Sequence, residues 1–136
     1  DGSFLTGILH NVGKLILAIN FPKDYRNAIV MARREKILDW EAEKKVLGAT
    51  HADVGAYLGG IWGFPHPVVE GIACYICPAR AKAGGAFCPM TAVHGSVGLR
   101  HKAKTGKDDR IDKEYLLETG LLGRIHSWEA ILQGKK

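Results

Sequence analysis

The sequence contains few cysteines and no long uninterrupted run of apolar residues. Its 136 residues include 3 cysteines, an odd number that favours free thiols in a reducing compartment over a disulfide framework. The longest apolar stretch, around residues 15–21, is interrupted or flanked by Lys14, Asn20 and Lys23, so we expect no membrane-spanning helix. No signal-peptide pattern is present either. These absences predict a cytoplasmic protein.

Strand-like alternation of apolar and polar residues is also absent, as is any internal repeat. Apolar residues instead recur at steps of three and four, which is typical of helices with one buried face. A chain of 136 residues that is 46% hydrophobic can bury one core, so we expect a single domain over residues 1–136. The predicted fold class is all-α, a bundle of several helices.

The periodicity predicts a first helix over residues 4–19 that carries His10 and Asn11. A second helix begins at Pro22, and a short third helix over residues 40–47 is capped by Asp39 and ended by Gly48.

The stretch Thr50-His51-Ala52-Asp53 is similar to a capping box, which places His51 in a first helical turn. The next helix begins near Pro65 or Pro67 and stops at Cys77-Pro78.

Two segments are predicted to be loops. Residues 79–88 are small, basic and rich in glycine, and residues 102–111 are polar and linker-like. Between them a helix runs through Arg100. After them Asp112 caps a helix that Gly120 ends, and a last helix covers residues 121–131.

The order of several motifs resembles one known family. Leu9-His10-Asn11-Val12-Gly13-Lys14 is followed by His51-Ala52-Asp53-Val54-Gly55-Ala56, then by Trp62-Gly63-Phe64-Pro65 and Val68-Val69-Glu70-Gly71-Ile72, and finally by Ala92-Val93-His94. This order is similar to that of the HDOD domain, the HD-related output domain of bacterial signalling proteins. The resemblance implies a helical bundle of the HD type. Because the chain begins at Asp1 and omits the opening helices of the family, we expect it to be a fragment of a longer signalling protein.

The resemblance also implies where metal ligands stand in the catalytic relatives, which are HD phosphohydrolases and cyclic-di-GMP phosphodiesterases. His10 matches the histidine of the HD pair, Asn11 matches its aspartate, and His51 matches a further histidine. Tyr75 and Ile76 stand where the relatives have two adjacent histidines, and the distal aspartate of the relatives aligns near Ser96 or Val97. A carboxamide is neutral and binds a divalent cation less well than a carboxylate does. We therefore assign no catalytic residue, no metal and no cofactor.

The residues expected to line a vestigial ligand pocket are His10, Asn11, Lys14, His51 and Tyr75. Lys14 lies four residues after His10 and therefore on the same helical face. It could attract a phosphate, although a solvated or ion-paired lysine is the favoured interpretation. The two histidines are likewise favoured as core groups satisfied by hydrogen bonds.

A zinc site is a weaker alternative. Cys74 and Cys77 form a CxxC pair, and Cys88 and His94 could supply two further ligands. A CxxC pair in the last turn of an apolar helix is better explained as two small buried residues, because redox pairs usually lie at a helix N-terminus.

The net charge of +5 raises the alternative of a nucleic-acid-binding module. Basic residues concentrate in residues 100–110, but Asp108 and Asp109 interrupt them and no aromatic residue is interleaved for base stacking. We therefore expect a non-catalytic regulatory module whose partner is a sensor or receiver protein. A metal-dependent phosphohydrolase with an incomplete ligand set is the first alternative.

Overall fold

The structure, a computed structural model, describes residues 2–81 and 87–134, and within these residues the regular structure is entirely helical, as predicted. Short 3₁₀ turns cover Pro78–Arg80 and Leu122–Arg124. The α-helices are α1 (Gly2–Leu9), α2 (Val12–Asn20), α3 (Pro22–Glu35), α4 (Asp39–Leu47), α5 (His51–Ile61), α6 (His66–Cys74), α7 (Pro89–Thr105), α8 (Lys113–Glu118) and α9 (Ile125–Leu132).

The helices pack around three apolar clusters of buried residues. Helix α5 packs between α2 and α6, α3 packs on α4, and α7 lies against both α1 and α6. Ala56, Val68 and Ile72 are buried where α5 meets α6. Met90 at the start of α7 is buried with residues of α8. This arrangement brings the start of α5, the end of α6 and the α1–α2 junction close together.

Several predicted helix ends are confirmed. Gly48 and Gly120 end α4 and α8 with φ angles of 77° and 73°, in the left-handed region that favours glycine. The Thr50–Asp53 capping box is formed at the start of α5, and the Asp112 side chain accepts a hydrogen bond from the Tyr115 amide at the start of α8.

Other predicted boundaries were wrong. The first helix is interrupted at His10 and Asn11, which lie in a turn between α1 and α2. Asp39 is the first residue of α4 and does not cap it, because its carboxylate is used in ion pairs described below. Helix α6 ends at Cys74, three residues earlier than predicted.

The predicted loop over 102–111 was wrong at its start. Helix α7 continues to Thr105 and ends at Gly106. Its last turn is stabilised from outside, since Lys102 Nζ lies 2.6 Å from Glu129 Oε1 on α9. The final helix is shorter than predicted because residues 122–124 form a 3₁₀ turn before α9. The predicted loop over 79–88 lies partly outside the described residues, as does Asp1, on which the expectation of a fragment rests.

The segment Gly2–Asn20 is long and apolar enough, by length and composition, to cross a membrane. The sequence prediction treated Lys14 as an interruption, but the mean hydropathy of the segment still reaches 1.3. A core helix of a soluble protein and a signal sequence near the N-terminus meet the same criterion, and 17% of this window is buried inside the structure. Here the segment comprises two helices that contact α5, α6 and α7.

Candidate functional site: a buried polar network beside an open cleft

The His10–Asn11 pair occupies the turn between α1 and α2. His10 Nδ1 lies 2.6 Å from the carbonyl oxygen of Gly7, so this nitrogen carries the proton and donates it. The His10 ring meets the Tyr75 ring edge-on, with centroids 5.1 Å apart. Asn11 is exposed at the N-cap of α2, and its side chain makes no capping hydrogen bond.

A close backbone approach places His51 against α2. A Cβ atom on Gly13 would lie 1.8 Å from the His51 carbonyl oxygen, so only glycine fits at this position. His51 is the first residue of α5, held in place by the capping box between Thr50 and Asp53. The glycine of the His-Asn-Val-Gly-Lys stretch is therefore a packing requirement for the site.

His51 and Glu43 form a buried hydrogen-bonded pair, with exposed fractions of 1% and 2%. Glu43 Oε2 accepts hydrogen bonds from the His51 backbone N–H at 2.8 Å and from Nδ1 at 2.7 Å, and Oε1 lies 3.0 Å from Nδ1. His51 Nε2 lies 2.6 Å from the Tyr75 hydroxyl. Burial, together with Asp39 and Glu43, raises the pKa of Tyr75 well above its ordinary value, so its O–H can donate to Nε2.

Asp39 adjoins this pair and is held by two basic side chains. Its Oδ2 lies 2.7 Å from Lys14 Nζ, and its Oδ1 lies 3.3 Å from an Arg110 nitrogen. Burial alone would raise the pKa of Asp39, but the charge and hydrogen bond of Lys14, together with the charge of Arg110, hold it below its usual range. The Arg110 guanidinium also lies over the Trp40 ring, 5.3 Å from its centroid.

Asp39, Glu43 and His51 are close enough to be considered as metal ligands. Their candidate ligand atoms lie within 4.8 Å of one another, and no other such group occurs in the part of the chain that the structure describes. The prediction missed both acids, although Asp39 and Glu43 stand four residues apart and His51 follows eight residues later. That spacing was the available signal.

The arrangement of these donors does not fit a divalent ion. Both Glu43 oxygens contact His51, both His51 ring nitrogens are hydrogen-bonded, and both Asp39 oxygens face basic side chains. The HD position nearby is the neutral Asn11. Lys14 and Arg110 supply the positive charge that the Asp39 carboxylate requires. We therefore derive no hydrolytic step through a metal at this network.

The predicted pocket residues therefore divide into two sets. His51 and Tyr75 are buried in the network, and Lys14 is paired with Asp39 at its edge. His10 and Asn11 instead line an open cleft of about 350 Å³ between the α1–α2 turn and α7, which we call the α7 cleft. Its other lining residues include Val93, Ser96, Val97 and Arg100.

The residues of the zinc alternative are used differently. His94 Nδ1 donates to the Tyr75 carbonyl at 2.7 Å, and Nε2 accepts the Asp112 backbone N–H at 2.9 Å, so both ring nitrogens are occupied. Cys88 Sγ lies 3.3 Å from Thr91 Oγ1. Cys74 and Cys77 are partly buried free thiols, and burial raises the pKa of Cys74. These contacts offer no support for a zinc site.

The basic segment behind the nucleic-acid alternative is partly neutralised. Lys102 pairs with Glu129, and Arg110 pairs with Asp39. These contacts reduce the continuous positive surface that phosphate backbones require.

Comparison with known proteins agrees with the motif order as far as residue 77, whereas Ala92-Val93-His94 lies outside the matched region. The HDOD domain family matches residues 1–77, more than half of the chain, and the match ends just after Tyr75. Searches of the curated proteins and of the solved structures found no match. The matched region contains the α1–α2 turn, Asp39, Glu43, His51 and Tyr75, whereas α7 lies beyond it. The chain belongs to the HDOD family.

Proposed function

We propose that the protein is a non-catalytic regulatory module of a bacterial, cytoplasmic signal-transduction protein. It would act through contacts with a sensor or receiver partner, in the same chain or another, and through a small ligand in the α7 cleft. The observation that carries the proposal is the internal pairing of the polar network. The Asp39 carboxylate is paired with Lys14 and Arg110, the Glu43 carboxylate is hydrogen-bonded to His51, and Asn11 supplies no anion for a metal.

An uncovered apolar face supports contact with a partner. Phe4, Ile8, Leu15 and Ile19 on α1 and α2 are each 60% exposed or more. Large exposed apolar patches on folded proteins are commonly sites of protein contact.

The cleft and the network are joined by a short path of contacts. His10 lines the cleft and packs against Tyr75, and the Tyr75 hydroxyl is hydrogen-bonded to His51. A ligand that displaced His10 would therefore act on the packing of α2, α5 and α6. The regulatory mechanism would be a population shift between two packings of these helices.

The test measures bound metal and hydrolysis together. Purified protein, incubated with Mn²⁺, Ni²⁺ or Mg²⁺ and desalted, is expected to retain substoichiometric metal and to leave cyclic di-GMP and bis(p-nitrophenyl) phosphate intact. The Asn11→Asp variant restores the anionic oxygen of the HD pair and is the matched comparison.

Two results would contradict the proposal. Stoichiometric metal and turnover in the unsubstituted protein, both abolished by His51→Ala, would establish the phosphohydrolase alternative. The structural basis of that alternative is the grouping of Asp39, Glu43 and His51. Turnover that survives His51→Ala but is lost in Asn11→Ala would place catalysis at the α1–α2 turn.

A further inference from the structure

The α7 cleft carries positive charge that no acidic residue balances. None of its lining residues is an aspartate or glutamate, and Arg100 lies on its rim in an exposed position on α7. Within residues 2–81 and 87–134, Arg100 forms none of the ion pairs found. The nearby bases Lys14, Lys102 and Arg110 each face a carboxylate. Arg100 therefore differs from its neighbours in facing open space.

The positive potential of this region acts on His10. Burial lowers the pKa of His10, the hydrogen bond to the Gly7 carbonyl opposes that effect, and the charges of Lys14 and Arg100 lower it further. The N-terminus of α2, a helix of nine residues, lies beside the cleft, because its N-cap residue Asn11 is one of the lining residues. The partial positive charge of a helix N-terminus adds to that of Arg100.

We propose that the α7 cleft binds the phosphate group of a small molecule, with the Arg100 guanidinium as the principal ligand to the phosphate and the Asn11 amide as a neutral donor. The inference rests on the proposed function, because it names the ligand class for the pocket invoked there. Arginine suits this role because its planar group donates two parallel hydrogen bonds to a phosphate.

The shape of the cleft favours an organic phosphate over a free ion. Its volume of about 350 Å³ lies in the range of small-molecule pockets. Val93 and Val97 provide an apolar wall on α7 next to Arg100. The Ser96 hydroxyl donates to the Ala92 carbonyl at 2.7 Å, so Ser96 shapes the wall and can offer a ligand only its acceptor lone pairs.

Binding is measured by titration calorimetry on EDTA-treated protein, with inorganic phosphate and a nucleoside 5′-monophosphate as separate probes. Arg100→Gln is expected to weaken the affinity for both probes by about tenfold or more, the usual worth of a charge-assisted hydrogen bond. Arg124→Gln is the matched control, since Arg124 is also exposed and lies outside the cleft. Tighter binding of the nucleotide than of phosphate would indicate that the apolar wall contacts the organic part, and equal affinity would indicate free phosphate as the ligand.

Asn11→Asp provides a second variant that should fold normally, because Asn11 is exposed. It places a negative charge in the cleft and is expected to weaken phosphate binding in the same direction as Arg100→Gln. Equal weakening by Arg100→Gln and Arg124→Gln, or no binding at low ionic strength, would overturn the inference.

Failure of this inference and failure of the proposed function give different results. Phosphate binding that requires added metal and disappears in EDTA would overturn the role of Arg100 and favour a metal site. Metal-dependent turnover together with EDTA-resistant binding at Arg100 would overturn only the non-catalytic assignment.

Discussion

Polar side chains differ in burial and pairing between residues 2–77 and the cleft-facing side of α7. In residues 2–77, which include α1 to α6, the polar atoms of Glu43 and His51 are buried and bonded to one another. Along α7, Arg100 faces an open cleft without a carboxylate partner in the described chain. Of the two histidines that the family resemblance matches to metal ligands of the catalytic relatives, His51 is therefore part of the core. The cleft for which we propose phosphate binding lies at the boundary between the two parts.

The packing of residues 2–77 depends on the close backbone approach of Gly13 to His51. Disrupting this approach is the most direct test of the difference between the two parts. Gly13→Ala is expected to destabilise the protein by about 3 kcal/mol or more, because the added methyl group would overlap the His51 carbonyl and force α2 away from α5. Urea denaturation followed by circular dichroism measures the loss of unfolding free energy.

Gly60→Ala is the control for that substitution. Gly60 is also in a helix, and a Cβ atom there meets no other atom within 4 Å. The higher helix propensity of alanine should leave stability unchanged or raise it by up to about 1 kcal/mol. If Gly13→Ala were as stable as Gly60→Ala, the close approach of α2 and α5 would be wrong.

Removal of the Glu43 carboxylate tests whether the buried network is structural. Glu43→Ala leaves two buried donors of His51, its backbone N–H and Nδ1–H, without an acceptor. Each unsatisfied donor costs about 1–3 kcal/mol, so a total loss of about 3 kcal/mol is expected in the same denaturation experiment.

Two further substitutions sharpen that result. Glu43→Gln keeps an acceptor oxygen and should cost less than Glu43→Ala. Glu118→Ala removes an exposed carboxylate from α8 and should change the unfolding free energy by no more than about 0.5 kcal/mol. Equal effects of Glu43→Ala and Glu118→Ala would contradict a structural role for the network.

Much of the helical architecture could be predicted from local signals. Gly48, Gly120 and the Thr50–Asp53 capping box fix helix ends through the backbone conformation or hydrogen bonds of a few neighbouring residues. The break at His10–Asn11 was missed because the apolar spacing continues across it. That spacing does not report how closely Gly13 approaches another helix.

The candidate site was predicted only in part for a similar reason. The family motif indicated His10, Asn11 and His51 as site residues, but it did not indicate which of them are buried. Asp39 and Glu43 lie on a short helix where acids are usually solvated, and their partners come from distant segments of the chain. The roles of Arg100 and Arg110 differ because one faces a cleft and the other faces Asp39, a distinction that only the packing of α7 and the α7–α8 connection determines.

His94 connects the two parts and gives the smallest predicted effect, a dependence of stability on pH. Burial lowers the pKa of His94, although the bond to the Tyr75 carbonyl and the charge of Asp112 oppose the shift. The neutral ring accepts the Asp112 amide proton at Nε2, and protonation would remove that bond. In the unfolded chain His94 binds a proton at about pH 6.5, whereas in the folded chain it binds one only at lower pH. The stabilisation that the neutral His94 ring gives the folded state is therefore complete above pH 6.5 and is lost as the pH falls below that value.

The measurement compares the unfolding free energy at about pH 7.5 and about pH 5.5, where His94 is expected to contribute a loss of no more than about 1.4 kcal/mol. His94→Gln should reduce the difference between the two pH values, while a remainder persists because the pKa of His10 is also lowered. His66→Gln, at an exposed position, should leave the difference unchanged. An undiminished difference in His94→Gln would mean that the ring is not held neutral between Tyr75 and Asp112. The polar link through His94 would then be lost, and the Arg110–Asp39 ion pair would remain as a polar contact between the two parts of the molecule.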